Sequence, residues 1–212
     1  MTTLYSYFRS SCSYRVRIAL NLKKVDYNYK AVNLIKDGGE QFKQEYRNVN
    51  PKCEVPCLKI DGMTIYQSVA IIEYLEETRS NSGQRLLPDC LKTRAQVRMI
   101  VELINSGIQP IQNLGILGKV QKLGGDKIKW AQVCIESGFD AIEKCLTETS
   151  GVYCVGDEIT MADVFLVPQV YNAKRYDVDV SKYPNIERIN QKLLGHSDFQ
   201  AATPENQPDA KQ

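Results

Sequence analysis

The sequence is poor in the residues on which many enzymes and metal sites depend. It has one tryptophan and one histidine, His196, which lies near the C-terminus. Its seven cysteines are irregularly spaced and include no CxxC pair, so neither a dithiol redox motif nor a structural zinc site is expected. The sequence also lacks the GxxxxGK[ST] and GxGxxG patterns, so nothing in it indicates a nucleotide site.

Strong charge of one sign and long apolar runs are also lacking. The 27 basic and 25 acidic residues give a net charge of +2 without a basic block, so no nucleic-acid partner is expected. Short apolar runs predict no membrane span, and the opening MTTLYSYFRS has no apolar core of a secretory signal. We therefore expect reduced cysteines and a cytoplasmic location, with a mitochondrial share left open.

The first eighty residues alternate between strand and helix patterns. Asp61-Gly62, a favoured two-residue turn, divides an expected hairpin. Ser68 is a plausible N-cap for the last helix of this region. The expected strands are Leu4–Tyr7, Tyr27–Val32 and the two arms of Glu54–Tyr66, and the expected helices are Ser13–Lys23, a charged segment ending near Val49, and Ser68–Thr78. The order β-α-β-α-β-β-α predicts a mixed α/β sheet of the thioredoxin-like type.

The remainder of the chain shows helical periodicity after a polar linker. Thr160 and Asp163 fit a capping box at the start of one helix. The tail from Thr203 is polar and contains two prolines, so we expect it to be loose. The expected helical segments are Lys92–Lys122, Lys127–Thr147, Thr160–Ala173 and Tyr183–Leu194. The predicted division is an α/β thioredoxin-like domain at 1–80, a linker at 81–91 and an all-α domain at 92–212.

Three short motifs indicate chemistry when they are taken together. Ser10, Ser11 and Cys12 precede an apolar helical stretch, where hydroxyl and backbone donors favour a thiolate over a thiol. The sulfur can belong to Cys12 or to a bound cofactor. Gln67 and Ser68 stand at another helix start, a position suited to a carboxylate. The simpler interpretation of both motifs is helix capping.

The third motif is Val55-Pro56, at the entrance to the hairpin. A cis bond there leaves the Val55 backbone available to an extended ligand, whereas an ordinary trans turn is the more common arrangement. In a thioredoxin-like fold the three motifs share one end of the sheet. Together they predict a cleft for a small, extended, acidic thiol with the character of glutathione.

The sequence resembles the zeta class of glutathione transferases, also known as maleylacetoacetate isomerases. The resemblance covers nearly the whole chain, and its most specific motif is the Ser-Ser-Cys opening. Tyr14 stands where the class usually has tryptophan, and Glu54 places a negative charge beside the cleft. The motifs that carry the resemblance are SSCSYRVRIAL, NLIKDGGEQF, NPKCEVPCLKIDG, QSVAIIEYLEET, SGIQPIQNL, YCVGDEITMADVFLVPQVYNAKR and NQPD.

The resemblance implies the glutathione transferase fold, a homodimer and glutathione as cofactor. It implies catalytic roles for Ser10, Ser11 and Cys12 toward the thiolate, and for Arg175 toward a substrate carboxylate, with Arg15 assisting. The implied glutathione-binding residues are Ser10, Ser11, Cys12, Ser13, Tyr14, Arg15, Gln41, Val55, Gln67, Ser68, Gln109, Asn113, Leu114 and Gly115. A simpler interpretation is that Gln109 and Asn113 are surface amides on a helix and that Arg175 is a solvent-exposed cation.

The implied reaction is cis–trans isomerisation of maleylacetoacetate in phenylalanine and tyrosine breakdown, with glutathione-dependent conversion of small α-haloacids as a further activity. Two alternatives stay open. Cys12 can act as the single nucleophile of a thiol oxidoreductase, or the chain can be a non-catalytic binding protein on a transferase fold. Retention of turnover in a Cys12→Ser variant distinguishes the isomerase from the oxidoreductase.

Overall fold

The computed structural model describes residues 1–210. Within this part the chain packs as two compact units. Met1–Gln84 and the segment from His196 to the last described residue form the first unit, and Arg85–Gly195 form the second. This packing differs from the predicted division, which gives residues 196–210 to the helical domain. The domain boundaries themselves stay a prediction.

The first unit contains a four-stranded mixed sheet in the order β2-β1-β3-β4. Strand β1, Thr3–Ser6, pairs in parallel with β2, Asn28–Ala31, and antiparallel with β3, Cys57–Ile60, which in turn pairs antiparallel with β4, Met63–Tyr66. A parallel pair needs a crossover, and helix α1, Ser11–Leu22, provides it. The predicted thioredoxin-like order is confirmed.

The hairpin turn forms where the sequence places it. Asp61 has φ 50° and Gly62 has φ 77°, so both central residues are left-handed, as a type I′ turn requires. Ile60 pairs with Met63 directly across this turn. The charged segment before the hairpin is helical only in short pieces, two 3-10 turns at Lys36–Gly38 and Glu40–Phe42 and the four-residue helix α2, Gln44–Arg47.

Helices α1 and α3, Ser68–Thr78, contact each other along the first unit and are joined at both ends. Near their N-termini the fully buried Arg15 donates from Nη1 to Ser68 Oγ at 3.2 Å. Near their C-termini the buried Lys23 pairs with Glu76. Lys23 also follows the last turn of α1, where a cation complements the helix dipole. These two contacts hold the N-termini of α1 and α3 at the same end of the helix pair.

The second unit is built from helices around one buried helix. Its helices are α4, Leu91–Asn105, α5, Leu114–Lys122, α6, Lys127–Thr149, α7, Met161–Arg175, and α8, Pro184–Leu194. Helix α7 is buried over most of its length and packs against α4 and α8. None of the helices described within residues 1–210 combines the length and apolarity needed to cross a membrane.

The single helix expected over Lys92–Lys122 is wrong, because the structure breaks it into α4 and α5. Pro110 has no backbone N–H to continue the ladder, and it disfavours helical backbone at Gln109. The Gln109 N–H reaches back to Ile104 O at 2.9 Å, one residue beyond the helical register. Asn113 then begins α5 as its N-cap.

The predicted capping box of α7 is present. Asp163 Oδ2 accepts the Thr160 N–H at 2.8 Å and the Thr160 hydroxyl at 3.0 Å, and Asp163 Oδ1 accepts the Cys154 N–H at 2.9 Å. Burial raises the pKa of Asp163, and these hydrogen bonds favour its ionised form. The carboxylate therefore fixes both the start of α7 and the loop before it.

The expectation of a loose tail is wrong. Helix α9, Ser197–Ala202, and a 3-10 turn at Pro204–Asn206 pack against the first unit, where Asp209 is only 7% exposed. Arg17 Nε donates to Ala202 O at 3.0 Å, and Asn21 Nδ2 donates to Asp198 O at 2.9 Å. The polar composition misleads because these polar groups find buried partners instead of water.

We expect Lys23→Ala to destabilise the first unit by about 3–5 kcal/mol, because it removes the cation that pairs with the buried Glu76 carboxylate. Urea-induced unfolding of the variant and the wild type measures the difference. The Lys23→Met/Glu76→Leu double variant, which removes both charges, is the matched control and should recover most of the loss. A double variant less stable than Lys23→Ala would contradict this account.

Candidate active site

The N-terminal turn of α1 carries the Ser-Ser-Cys motif. Ser10 is the N-cap, and its Oγ accepts the Ser13 N–H at 3.2 Å. Ser11 is buried as the first helical residue, so the helix starts two residues before the predicted Ser13, and Cys12 is a half-buried free thiol. The N–H groups of a first helical turn have no partner within the helix, and the helix dipole favours an anion beside them.

The start of α3 differs in detail from the prediction. Gln67, not Ser68, is the N-cap, because Gln67 O accepts the first helical N–H, that of Ile71, at 3.0 Å. Ser68 lies inside the first turn and its Oγ accepts from Arg15. Gln67 has φ 77° and ψ 120°, an unfavourable backbone conformation for a residue with a side chain. Such strain is concentrated at functional sites.

The loop before β3 contains a cis peptide bond between Val55 and Pro56, so the cis alternative is the one the structure adopts. Tyr46 Oη and Asn50 Nδ2 both donate to Glu54 O at 2.7 Å and hold this loop. Val55 is 8% exposed, and the part of the chain that the structure describes offers its backbone no hydrogen-bond partner. Its amide and carbonyl can therefore pair with an extended ligand.

Gln41 is held by its own turn. Its Nε2 donates to Leu34 O at 3.3 Å, while its buried Oε1 has no hydrogen-bond partner among residues 1–210. A Cβ at Gly39, where φ is 105°, would lie 2.6 Å from the Gln41 amide atoms, so glycine is required beside it. The Ser13 hydroxyl is a second buried polar atom with no partner in the same range. Buried polar atoms of this kind normally meet a ligand or water.

The donors in the first unit suit an acidic peptide thiol. Arg15 is buried between α1 and α3, and the N-termini of both helices add positive potential. Tyr14, also predicted to contact the cofactor, is 1% exposed, and Arg17 lies over its ring at 5.2 Å. Hydroxyl and N–H donors are chemically suited to carboxylates and a thiolate, and the Val55 backbone is suited to a peptide.

The remaining predicted residues lie in the second unit. Gln109 is half-buried in the turn between α4 and α5. Asn113 caps α5 by accepting the Leu114 N–H at 2.8 Å, and Leu114 and Gly115 are exposed. Arg175 ends α7 as an exposed cation, with its guanidinium 5.9 Å from the centre of the Tyr171 ring.

A buried amide pair connects these two parts of the second unit, and no pattern in the sequence indicates it. Gln112 Nε2 donates to Gln169 Oε1 at 3.2 Å, so the turn that carries Gln109 is tied to α7, six residues before Arg175. Glutamines on a helix or turn are ordinarily surface residues. Only the topology shows that these two are buried.

The fold and the donor set together define a thioredoxin-like protein with a helical second unit and donors suited to a small acidic thiol. Comparisons with known proteins agree with this class. Residues 9–78 match the family described as "Glutathione S-transferase, N-terminal domain", and residues 95–189 match "Glutathione S-transferase, C-terminal domain". The chain belongs to the glutathione S-transferase family.

Its relatives specify the class further. The chain is 59% identical to maleylacetoacetate isomerase of Mus musculus over 97% of this chain and 94% of that protein. It is 50% identical to maleylacetoacetate isomerase of Dictyostelium discoideum over 99% and 96% of the two chains.

Solved structures give the same result. A bacterial maleylpyruvate isomerase, a zeta-class glutathione transferase, superposes with a TM-score of 0.93 at 39% identity, covering 98% of this chain and 99% of that one. Maleylacetoacetate isomerase of Anaeromyxobacter dehalogenans, whose structure has glutathione bound in the active site, has a TM-score of 0.88 at 41% identity, covering 99% and 98%. The predicted resemblance to the zeta class is confirmed.

We expect Gln67→Gly to be more stable than the matched control Gln67→Ala by about 1–3 kcal/mol, because glycine removes the strain at φ 77° and alanine keeps it. Thermal and urea unfolding of both variants measure the difference. The strain at Gln67 would be disproved by an alanine variant at least as stable as the glycine variant.

Proposed function

We propose that this chain is a glutathione-dependent isomerase that converts 4-maleylacetoacetate to 4-fumarylacetoacetate in phenylalanine and tyrosine catabolism. The observation that carries the proposal is the Arg15–Ser68 hydrogen bond, which joins the Ser10–Cys12 motif to the Gln67–Ser68 motif in one site. The 59% identity to an isomerase of that name supports the same substrate.

Glutathione fits the donor set of the first unit. The N-terminus of α3, with Gln67 and Ser68, would hold a carboxylate of the tripeptide, and the Val55 backbone would pair with its peptide groups. Gln41 offers a buried acceptor with no partner within residues 1–210. The residues Ser10–Arg15 would surround the cysteine portion. The resemblance also implies Gln109, Asn113, Leu114 and Gly115 as contacts for the cofactor.

Bound glutathione supplies a thiolate that adds reversibly to the carbon–carbon double bond of the substrate. That bond is then a single bond and is free to rotate. The task of the chain is to keep that sulfur ionised. A free thiol has a pKa of about 8.5, and a decrease of two units corresponds to about 2.7 kcal/mol of preference for the anion. The hydroxyls of Ser10 and Ser11 and the first N–H groups of α1 would provide this preference to the sulfur of bound glutathione.

Ser10 and Ser11 have different structural roles at the start of α1. Ser10 Oγ accepts the Ser13 N–H, which leaves its hydroxyl proton available to a sulfur anion. Ser11 has no capping role, so its hydroxyl is free of the helix. The two serines can therefore be separated experimentally, since loss of Ser10 also costs a helix cap.

Arg175 is the group proposed to bind a carboxylate of the acidic substrate. It ends α7, it is exposed, and its guanidinium lies near Tyr171 and Tyr176, which restrict where it can point. The same thiolate and the same cation suit small α-haloacids, in which sulfur displaces halide. We propose this as a further activity.

The chain is further proposed to act as a cytoplasmic homodimer. Strand β4 is an edge of the sheet, and two large apolar residues on it are exposed, Met63 at 46% and Tyr66 at 40%. An exposed edge with apolar side chains is suited to burial against a second copy.

We expect Ser10→Ala and Ser11→Ala together to reduce glutathione-dependent isomerisation of maleylacetoacetate by about 10²–10³-fold, the usual effect of losing preorganised donors at a developing anion. Formation of fumarylacetoacetate with and without glutathione measures it. Ser10→Ala alone should also lower stability by about 1 kcal/mol through the lost cap, and Ser11→Ala should not.

Cys12→Ser distinguishes the isomerase from the oxidoreductase. The isomerase should retain some turnover in that variant, because the sulfur that reacts belongs to glutathione. A wild type without isomerisation, together with disulfide reduction that depends on Cys12, would instead establish the oxidoreductase.

We expect Arg175→Ala to raise KM for maleylacetoacetate by about tenfold, since a charge-assisted hydrogen bond to a carboxylate contributes about 1.5–3 kcal/mol. KM for glutathione should stay unchanged. Lys174→Ala removes the neighbouring exposed cation and is the matched control. Equal effects of the two variants on KM would reduce the role of Arg175 to general surface charge.

A further inference from the structure

The peptide units just before the thiolate site are held by two buried side chains of opposite charge. Arg17 donates from Nη2 to Phe8 O at 3.1 Å, and Asp209 Oδ2 accepts the Phe8 N–H at 3.1 Å. Phe8 is therefore fixed through both its N–H and its C=O. Phe8 lies two residues before Ser10, the N-cap of α1.

The same two side chains are themselves fixed. Asp209 Oδ1 accepts the Tyr29 hydroxyl at 2.7 Å, and burial raises the pKa of Tyr29, so the phenol stays a donor. Arg17 also donates to Ala202 O and, at 3.2 Å, to Ser6 Oγ. Burial lowers the pKa of Arg17, while neighbouring tyrosines and Asp209 favour its charged form. Charge-assisted hydrogen bonds of this kind are stronger and shorter than neutral ones.

The position of the cap follows from the position of these peptides. The Ser10 N–H donates to Tyr7 O at 2.9 Å, and Ser10 Oγ caps the helix. Donors that stabilise a developing or bound anion act only when they are already oriented toward it. A rotation of the Phe8 peptide would reorient Ser10 and with it the first turn of α1.

We propose that Asp209 is a positioning residue for the thiolate site: by fixing the Phe8 N–H from the C-terminal segment, it orients Ser10 and the first turn of α1 toward the sulfur of glutathione. The inference rests on the proposed function, because it concerns how well that site ionises the bound thiol. It gives the C-terminal segment a part in the site beyond its contribution to packing.

The test compares Asp209 with Asp198, which anchors the same C-terminal segment elsewhere. Asp198 forms an ion pair with Lys24 at 2.7 Å, at the other end of α1. Asp209→Ala and Asp198→Ala therefore each remove one carboxylate anchor of the segment, but only the first touches the loop before Ser10. Asp209→Asn keeps an acceptor of the same size without the charge.

Two readouts separate positioning from packing. In the protein without glutathione, hydrogen exchange measures protection of the amides of Phe8 to Ser13. In the protein with glutathione, the ultraviolet absorbance of the thiolate, followed against pH, gives the pKa of the bound thiol. Thermal unfolding of each variant reports the loss of stability alone.

We expect Asp209→Ala to raise the pKa of the bound thiol by about one unit, which is tenfold less thiolate at a pH well below that pKa, and to expose the Phe8–Ser13 amides to faster exchange. Asp209→Asn should give a smaller rise in the same direction. Asp198→Ala should lower the melting temperature and leave both readouts at the wild-type values.

An unchanged thiol pKa in folded Asp209→Ala, or equal changes in the Asp209 and Asp198 variants, overturns the inference and leaves Asp209 as a packing anchor. If Asp209→Ala does not fold, the Asp209→Asn variant is measured instead. An unchanged pKa of the bound thiol in that variant then overturns the inference. A wild type that binds no glutathione refutes the proposed function itself. The inference is tested separately, because it is judged only from differences between the variants and a wild type that binds glutathione.

Discussion

The hydrogen bond between the buried Arg15 and Ser68 is the contact on which the site depends. It joins two helices that are far apart in the chain, since α1 follows the first strand, β1, and α3 follows the last strand, β4. Arg15 has its charge inside the protein, and such a charge is tolerated only where polar groups meet it. The same hydrogen bond that gives the guanidinium one partner also gathers the N-termini of two helices at one place.

The rest of the first unit maintains that arrangement. The Lys23–Glu76 pair closes the far ends of the same two helices, and the parallel β1–β2 pair fixes the direction in which α1 must run. The loop before Pro56 is held through Glu54 O by two separate donors. A sulfur anion needs little chemistry from the protein when several fixed dipoles already point to its position.

Local signals were enough to predict much of the fold. The Asp61-Gly62 turn, the capping box at Thr160 and the helix of Ser68–Thr78 each depend on residues close in sequence, and each is present. Two predictions failed for different reasons. The segment Lys92–Lys122 was predicted from its periodicity, which does not register the local break at Pro110. The tail from Thr203 was predicted to be loose because its partners, Phe8 and Tyr29, lie 201 and 180 residues from Asp209. For the site, short sequence motifs suggest helix starts that bind an anion. They do not show that Gln67 rather than Ser68 is the N-cap, or that Gln112 and Gln169 are buried together. The assignment of individual residues to glutathione rests on the resemblance and stays a prediction.

The first unit is assembled from two separate stretches of the chain, with the whole of Arg85–Gly195 between them. During synthesis the sheet and α1 emerge early, but Arg17 and Phe8 must wait for Ala202 and Asp209, which are translated much later. Domains otherwise tend to fold in the order in which they leave the ribosome. In this chain a nascent product that ends before Ala202 has a sheet and both helix starts, but Arg17 and Phe8 lack the two partners that the later segment supplies. Synthesis through the segment that contains Asp209 is thus needed to complete the packing of the first unit.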